Sequence, residues 1–285
     1  MNYKQYRNKW TDNPEKHIVE DFPLHLDIEC NTHCNLSCKM CHQSWDPLKK
    51  QVMPLMLYKK IIDEGAQKGL CAVKTQLRGE PLLCDSMGYR VWYAKSKGIM
   101  EVMFNTNGMK LTKETCEDMI DAGLDRIIVS VECSPEDYKL IRTGGNYDRV
   151  VQNMHTFLKV RGDAEKPILR AKAIDTENTF DFVKYWKDYN VEVDVAPLYD
   201  WKGPLDYPAD FCCEQLWQRL GVLVDGTVIP CCWATSDIEG SKLGNVYDDT
   251  IESMWKGEKL RQWRWLHANG RHNEIEMCRK CGLYL

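Results

Sequence analysis

The sequence predicts an α/β fold in which six strand–helix units form an open parallel sheet or a partial (β/α)6 barrel, followed by a small C-terminal part. Three observations predict it. Short β-type runs alternate with helix-type runs through the first two thirds. A segment carrying Gly203, Pro204 and Pro208 then breaks the alternation. The cysteines fall mainly into two groups, one just after the first strand and one in the last third.

The alternation runs in order. Leu24–Ile28 reads as a strand and Leu55–Glu64 as a helix. Val73–Leu77 is a strand and Met87–Ser96 a helix. Met100–Asn105 is a strand and Lys113–Ala122 a helix. Arg126–Val131 is a strand and Tyr147–Val160 a helix, with Val150, Val151, Met154, Phe157 and Leu158 on one face at helical spacing. Ile168–Ile174 is a strand, Phe180–Tyr189 a helix, and Val191–Val195 the sixth strand. Such alternation argues for parallel strands joined by right-handed crossovers, with ligands at the C-terminal ends of the strands. The expected organisation is an N-terminal extension over 1–23, the β/α array over 24–205 and a C-terminal part over 206–285. That last part holds a hairpin over Gly221–Ile229, turning at Asp225-Gly226, and a helical stretch from about Thr250 to His267.

Hydrophobic residues make up 44% and charged residues 28%, a balance that supports a sizeable core. The net charge of −4, with no block of Lys and Arg, gives no reason to expect a nucleic acid or anionic membrane partner. The first ten residues have no apolar signal-peptide core and no run is long enough to span a bilayer, so the expected location is the cytoplasm. Fourteen cysteines are then anomalous, because the cytosol keeps thiols reduced. Metal binding or redox chemistry is the better account.

Residues 30–42 read CNTHCNLSCKMCH. Cys34, Cys38 and Cys41 follow the first strand, where a barrel site would lie. Three thiolates can hold a [4Fe–4S] cube and leave one iron open for a small molecule. The rival is a structural zinc site, which wants four ligands, with Cys30 as the fourth. The position after the first strand of a β/α array favours the cluster. In the last third, Cys213 and Cys231 lie around the hairpin and Cys278-Arg-Lys-Cys281 closes the chain. Four cysteines so spaced suit zinc and a fully ligated cluster equally.

CNLSCKMC resembles the CxxxCxxC signature of the radical S-adenosylmethionine (SAM) superfamily. This resemblance implies a partial (β/α)6 TIM-like barrel with a small C-terminal iron–sulfur domain. Met40 stands where the family usually has an aromatic residue over the adenine, and its thioether can make that packing contact. Arg78-Gly79-Glu80-Pro81 resembles the family's GGE-like sequence, with arginine for the first glycine. It implies that Gly79 and Glu80 receive the SAM amino group. Asn105 and Asn107 after the third strand, and Ser130 at the end of the fourth, are candidates for the ribose or substrate; strand-end capping is the plain alternative. Arg142 is a candidate for the SAM carboxylate, with a solvated helix-end arginine as its alternative.

The last third resembles the SPASM extension, in its shortened Twitch form with one auxiliary [4Fe–4S] cluster. By alignment with that pattern Cys213 and Cys231, rather than their neighbours Cys212 and Cys232, are the ligands beside Cys278 and Cys281. Six tryptophans (Trp201, Trp217, Trp233, Trp255, Trp263, Trp265) are expected to shield this cluster.

The resemblance implies a 5′-deoxyadenosyl radical that takes hydrogen from a C–H bond, with flavodoxin or ferredoxin as electron donor. If the auxiliary cluster accepts the second electron, the outcome is dehydrogenation, as in the aminocyclitol dehydrogenase of butirosin biosynthesis. If a thiol returns hydrogen, the outcome is epimerisation, and Cys133 or Cys212 would be the donor. No stretch of about 90 residues precedes the first strand, as it does in many peptide-modifying relatives. That tilts the expectation toward a small polar or carbohydrate-like substrate over a peptide or protein. The non-enzymatic alternative is a zinc-stabilised binding protein.

Overall fold

Strand-forming runs this short bury themselves only by pairing, and here all of them pair into one sheet. In the computed structural model, which describes residues 1–44, 46–198, 207–208, 211–236 and 238–282, nine strands follow the order β6-β5-β4-β3-β2-β1-β7-β8-β9. They are β1 (His25–Ile28), β2 (Ala72–Lys74), β3 (Glu101–Thr106), β4 (Arg126–Ser130), β5 (Ile168–Ile174), β6 (Glu192–Ala196), β7 (Arg219–Val222), β8 (Thr227–Ile229) and β9 (Gly244–Asn245). β1 to β6 are all parallel, and among the described residues β6 and β9 are the edge strands. This is the partial barrel expected.

The crossovers are α2 (Leu55–Lys68), α3 (Met87–Ser96), α4 (Lys113–Asp121), a short α5 (Pro135–Ile141) with α6 (Tyr147–Arg161), and α7 (Thr179–Asp188); α1 (Tyr3–Glu15) precedes them. α1 was not read from the sequence. Its signal is the box Asn2-x-x-Gln5, in which each side chain accepts from the other residue's amide. The helix docks because Tyr6, fully buried, joins Leu24, Cys71 and Ala72.

The boundary expected at 205/206 lies outside the described residues. Beyond it, α8 (Gln215–Gln218) leads into the hairpin's strands, and α9 (Ile238–Ser241), α10 (Ile251–Trp255), α11 (Glu258–Ala268) and α12 (Glu276–Arg279) follow them. The single helix read over Thr250–His267 is two helices, parted at Gly257. The hairpin does not stand apart: β7 runs parallel to β1, from His25↔Arg219 to Ile28↔Val222. Its turn needs Gly226, at φ +85°, where a side chain would be strained. One hydrophobic core consequently runs from Leu26 and Ile28 through Leu220 to Trp233 and Trp255. The first strand, which delivers the first cysteine group, is thus fixed on both sides, by β2 and by β7.

Candidate functional site

The loop after β1 carries the first cysteine group to the C-terminal edge of the strands. It is held there by backbone pairing: the Ser37 amide donates to the Thr143 carbonyl (2.9 Å) and the Lys39 amide to Ile141 (3.2 Å). Cys34 and Cys41 are half-buried and Cys38 is buried. Burial pushes the Cys34 thiol up to about 11, and the neighbouring Glu80, Cys38 and Cys41 add to it. The Cys41 thiol is raised for the same first reason, with Cys38 contributing. The three thiols therefore share one electrostatic neighbourhood. Cys30 does not: it is 1% exposed and lies in the core, where burial pushes its thiol up to about 12 despite Arg90.

Polar groups from other strand ends meet this loop. Asn107 Nδ2 donates to Asn35 Oδ1 (2.9 Å) and lies 4.0 Å from Cys34 Sγ. Arg142 Nη1 lies 3.8 Å from Cys38 Sγ. The Arg142 guanidinium also grips Glu132 Oε1 through Nε (2.6 Å) and Nη2 (2.5 Å). Glu132 is fully buried and left-handed (φ +60°), a conformation that costs about 1–3 kcal/mol in a non-glycine residue. Its second oxygen accepts from the Ile174 amide (2.9 Å). Arg142 is thus no solvated helix-end residue: it bridges the cluster loop and the end of β4.

Gly79 and Glu80 fall as expected after β2, and the Glu80 side chain is buried among protein donors. It is 3% exposed, and accepts from the Thr106 hydroxyl (2.5 Å), the Asn107 amide (2.8 Å) and the Leu82 amide (3.2 Å). Three protein donors thus hold this carboxylate in place, while a carboxylate has about four acceptor positions. Burial lifts its pKa to about 7 against those donors. A Cβ at Gly79 would lie 2.3 Å from the Asn31 carbonyl oxygen, so only glycine allows the loop to lie flat there. Asn31 Oδ1 is buried there without a partner among the described residues. Arg78, the departure from the family pattern, pairs in two bonds with the fully buried Glu29 (2.5 and 2.7 Å). Glu29 also accepts from the Val224 amide in the hairpin (3.1 Å).

Below the loop opens a cavity of about 240 Å³ lined by Met40, Cys41, Arg142, Lys172, Ile174 and Ala196, among others. Met40 and Arg142 are the sequence candidates that reach it. Asn105 and Ser130 are half-buried at the ends of β3 and β4 and do not line it. Neither donor-thiol candidate lines it. Cys133 Sγ donates to the Ile174 carbonyl (3.2 Å) and meets the Thr179 hydroxyl (3.5 Å). Cys212 Sγ sits 3.6 Å from His17 Nε2, toward the N-terminal segment. Lys172, missed from the sequence, lines the cavity and pairs with Asp194 (3.1 Å). It was hidden because alternation along β5 alone does not say which face opens on a cavity.

The second cysteine group borders a small apolar cavity of about 20 Å³. Cys213, Cys231, Cys278 and Cys281 all line it, with Phe211, Trp233 and His267. Cys212 and Cys232 do not; Cys232 turns to Gln215 Oε1. Of the six tryptophans, Trp233 lines the cavity, Trp217 stacks on His17, Trp255 packs under Arg264, and Trp265 is 53% exposed. The expected common shield is thus mainly Trp233. Trp201 lies outside the described residues. Among the described residues no three Cys, His, Asp or Glu groups suit a single metal ion. The second thiol set instead borders a cavity together, and Cys41 of the first set borders the other. The donor chemistry fits iron–sulfur clusters: soft thiolates, no carboxylate in the second cavity, and a three-thiol set in the first loop.

Two family models match the chain: the radical SAM superfamily over residues 28–168, and an iron–sulfur cluster-binding domain, SPASM, over 212–282. Among curated relatives, the GTP 3′,8-cyclase of Limosilactobacillus fermentum is 29% identical over 66% of this chain and 61% of its own. A probable GTP 3′,8-cyclase of Methanococcus maripaludis is 32% identical over 45% of this chain and 43% of its own. The chain thus spans about half the length of these relatives. Among solved structures, BtrN in complex with AdoMet and 2-DOIA aligns with a TM-score of 0.68 at 20% identity, covering 93% of this chain and 95% of BtrN. Streptococcus suis SuiB bound to S-adenosylmethionine gives 0.72 at 16% identity, covering 98% and 76%. No helix among the described residues is long and apolar enough to cross a membrane. The cofactors that follow are a [4Fe–4S] cluster, S-adenosylmethionine and an auxiliary cluster. The chain belongs to the radical SAM superfamily and carries a SPASM iron–sulfur cluster-binding domain at its C-terminal end.

Proposed function

We propose that the protein dehydrogenates a small, polar, carbohydrate-like substrate held in the cavity beside Met40 and Cys41. In this reading Cys34, Cys38 and Cys41 hold the cluster that binds SAM, and Cys213, Cys231, Cys278 and Cys281 hold the auxiliary cluster. When bound, these groups supply a 5′-deoxyadenosyl radical for hydrogen abstraction and an exit for the second electron. The chain's own work is positioning: the 141–143 segment braces the loop, and Arg142 aligns it against β4.

The observation that carries the reading is the cavity lining. Its two cations are both already paired, Arg142 with Glu132 and Lys172 with Asp194. A neutral or zwitterionic polar substrate leaves those pairs intact, whereas a polyanion would have to break them. The cavity is also small for a drug-sized ligand, which typically occupies about 300–1,000 Å³. Neither candidate donor thiol lines the cavity, which favours oxidation over epimerisation. A second reading, rearrangement of a nucleotide, draws on the names of the curated relatives; the paired cations weigh against it.

The test is anaerobic incubation with SAM and reductant against a panel of aminocyclitols, amino sugars, short peptides and GTP. Release of 5′-deoxyadenosine above the substrate-free rate, with a carbonyl product from a member of the first two classes, supports dehydrogenation. Coupled turnover of GTP, or of peptides alone, contradicts it.

A further inference from the structure

We infer that His267 is a positioning residue that donates a hydrogen bond to the Cys278 sulfur and thereby raises the reduction potential of the auxiliary cluster. The inference rests on the proposed assignment of Cys213, Cys231, Cys278 and Cys281 as that cluster's ligands.

His267 lies in the last turn of α11 and is 2% exposed. Its ring spans two of the four cysteines. The Cys213 amide donates to Nδ1 at 3.2 Å, and Nε2 lies 3.4 Å from Cys278 Sγ. The amide settles the tautomer. A backbone N–H can only donate, so Nδ1 must carry the lone pair, and the ring proton sits on Nε2. Nε2–H then points at the sulfur. A ring inverted to place its proton on Nδ1 would set two donors against each other in a buried site, leaving both unsatisfied. The ring cannot swing away easily: it packs between Phe211 (6.4 Å between centroids) and His272 (5.8 Å).

Around the remaining ligands, Tyr207 offers a weaker donor, its hydroxyl 3.8 Å from Cys281 Sγ. Gln215 also lines the cavity, its Oε1 accepting from the Cys232 thiol (3.6 Å); Leu216, Trp233, Met277 and Phe211 make the remainder apolar. An apolar, poorly hydrated surrounding disfavours the more negative, reduced cluster. A hydrogen bond to a ligand sulfur draws density from it and favours that state. In a reaction whose second electron leaves through this cluster, that bond makes the cluster a better acceptor.

The test uses the full chain with Cys34, Cys38 and Cys41 changed to alanine and reconstituted anaerobically, so that one cluster reports. His267→Phe removes the donor. His267→Gln keeps an amide N–H for the sulfur and a carbonyl for the Cys213 amide. Potentiometric titration followed by electron paramagnetic resonance should show the midpoint falling in His267→Phe by at least tenfold in the one-electron equilibrium, about 59 mV. His267→Gln should retain more than half of the difference. Should His267→Phe fold poorly, pulsed resonance on the parent protein carrying 15N-histidine decides: nitrogen coupling at the reduced cluster, lost in His267→Gln, is expected. An unmoved midpoint with four irons retained, or no nitrogen coupling, overturns the inference. Iron that persists after Cys278→Ala and Cys281→Ala overturns the ligand assignment itself, and the inference with it.

Discussion

Arg78→Gly restores the glycine that the family carries at this position, so a consensus argument expects it to be harmless. The structure predicts the opposite. Glu29 is fully buried, and Arg78 supplies both of its charged contacts. After the substitution the carboxylate keeps only the Val224 amide, at 3.1 Å. Breaking one partner out of a buried ion pair costs ~3–5 kcal/mol, because the remaining charge is stranded. The loss should appear in anaerobic urea denaturation of the apoprotein followed by tryptophan fluorescence. Glu29→Gln in the same chain removes the stranded charge and should recover most of it, giving a coupling energy of the same order. Arg78→Lys should fall between, since an ammonium cannot reproduce the two-bond fork. A destabilisation under ~1 kcal/mol in Arg78→Gly, which is all that a solvent-exposed pair is worth, would refute the reasoning.

Glu80 gives a pH prediction. Burial lifts it to about 7 from 4.5, so the folded chain holds its proton where the unfolded chain has lost it. That contribution is complete below about pH 4.5, is lost as pH rises through about 7, and is on the order of 3 kcal/mol. Apoprotein stability should therefore fall between pH 5 and 8 with a slope that Glu80→Gln flattens; an unchanged slope would count against a buried, protonatable Glu80. Cys133→Ala and Cys212→Ala, whose residues do not line the cavity, should each turn over the true substrate within about twofold of the parent, since each removes only one sulfur. In deuterium oxide the product should carry no carbon-bound deuterium; deuterium that disappears with either single substitution would restore the epimerase reading.

The barrel was legible because six strand–helix alternations carry their own periodicity, and the cysteine spacing survives any folding detail. Boundaries moved by a residue or a few, as at β2, read to Leu77 and ending at Lys74, because side-chain pattern does not mark where backbone pairing stops. The hairpin's parallel seat on β1 was not legible: pairing between residues about 190 apart leaves no local trace. α1 was legible in retrospect through Asn2 and Gln5. At the site, Cys213 and Cys231 followed from pattern, while Arg142, Glu132 and His267 acquired their places only through contacts between distant segments. Glu80 was legible by its position, whereas its bonds from Thr106 and the Asn107 amide form only once β2 and β3 are adjacent.

The central claim, two four-iron clusters on seven named cysteines, is tested most directly by iron and sulfide analysis of anaerobically reconstituted protein. About eight irons and eight sulfides per chain are expected in the parent, and about four of each in the Cys34, Cys38, Cys41 triple alanine variant, which should cleave no SAM. The Cys278→Ala, Cys281→Ala variant should also hold about four, and should retain some uncoupled SAM cleavage. Stoichiometric zinc with negligible iron in the parent, or full iron in either variant, would contradict the account.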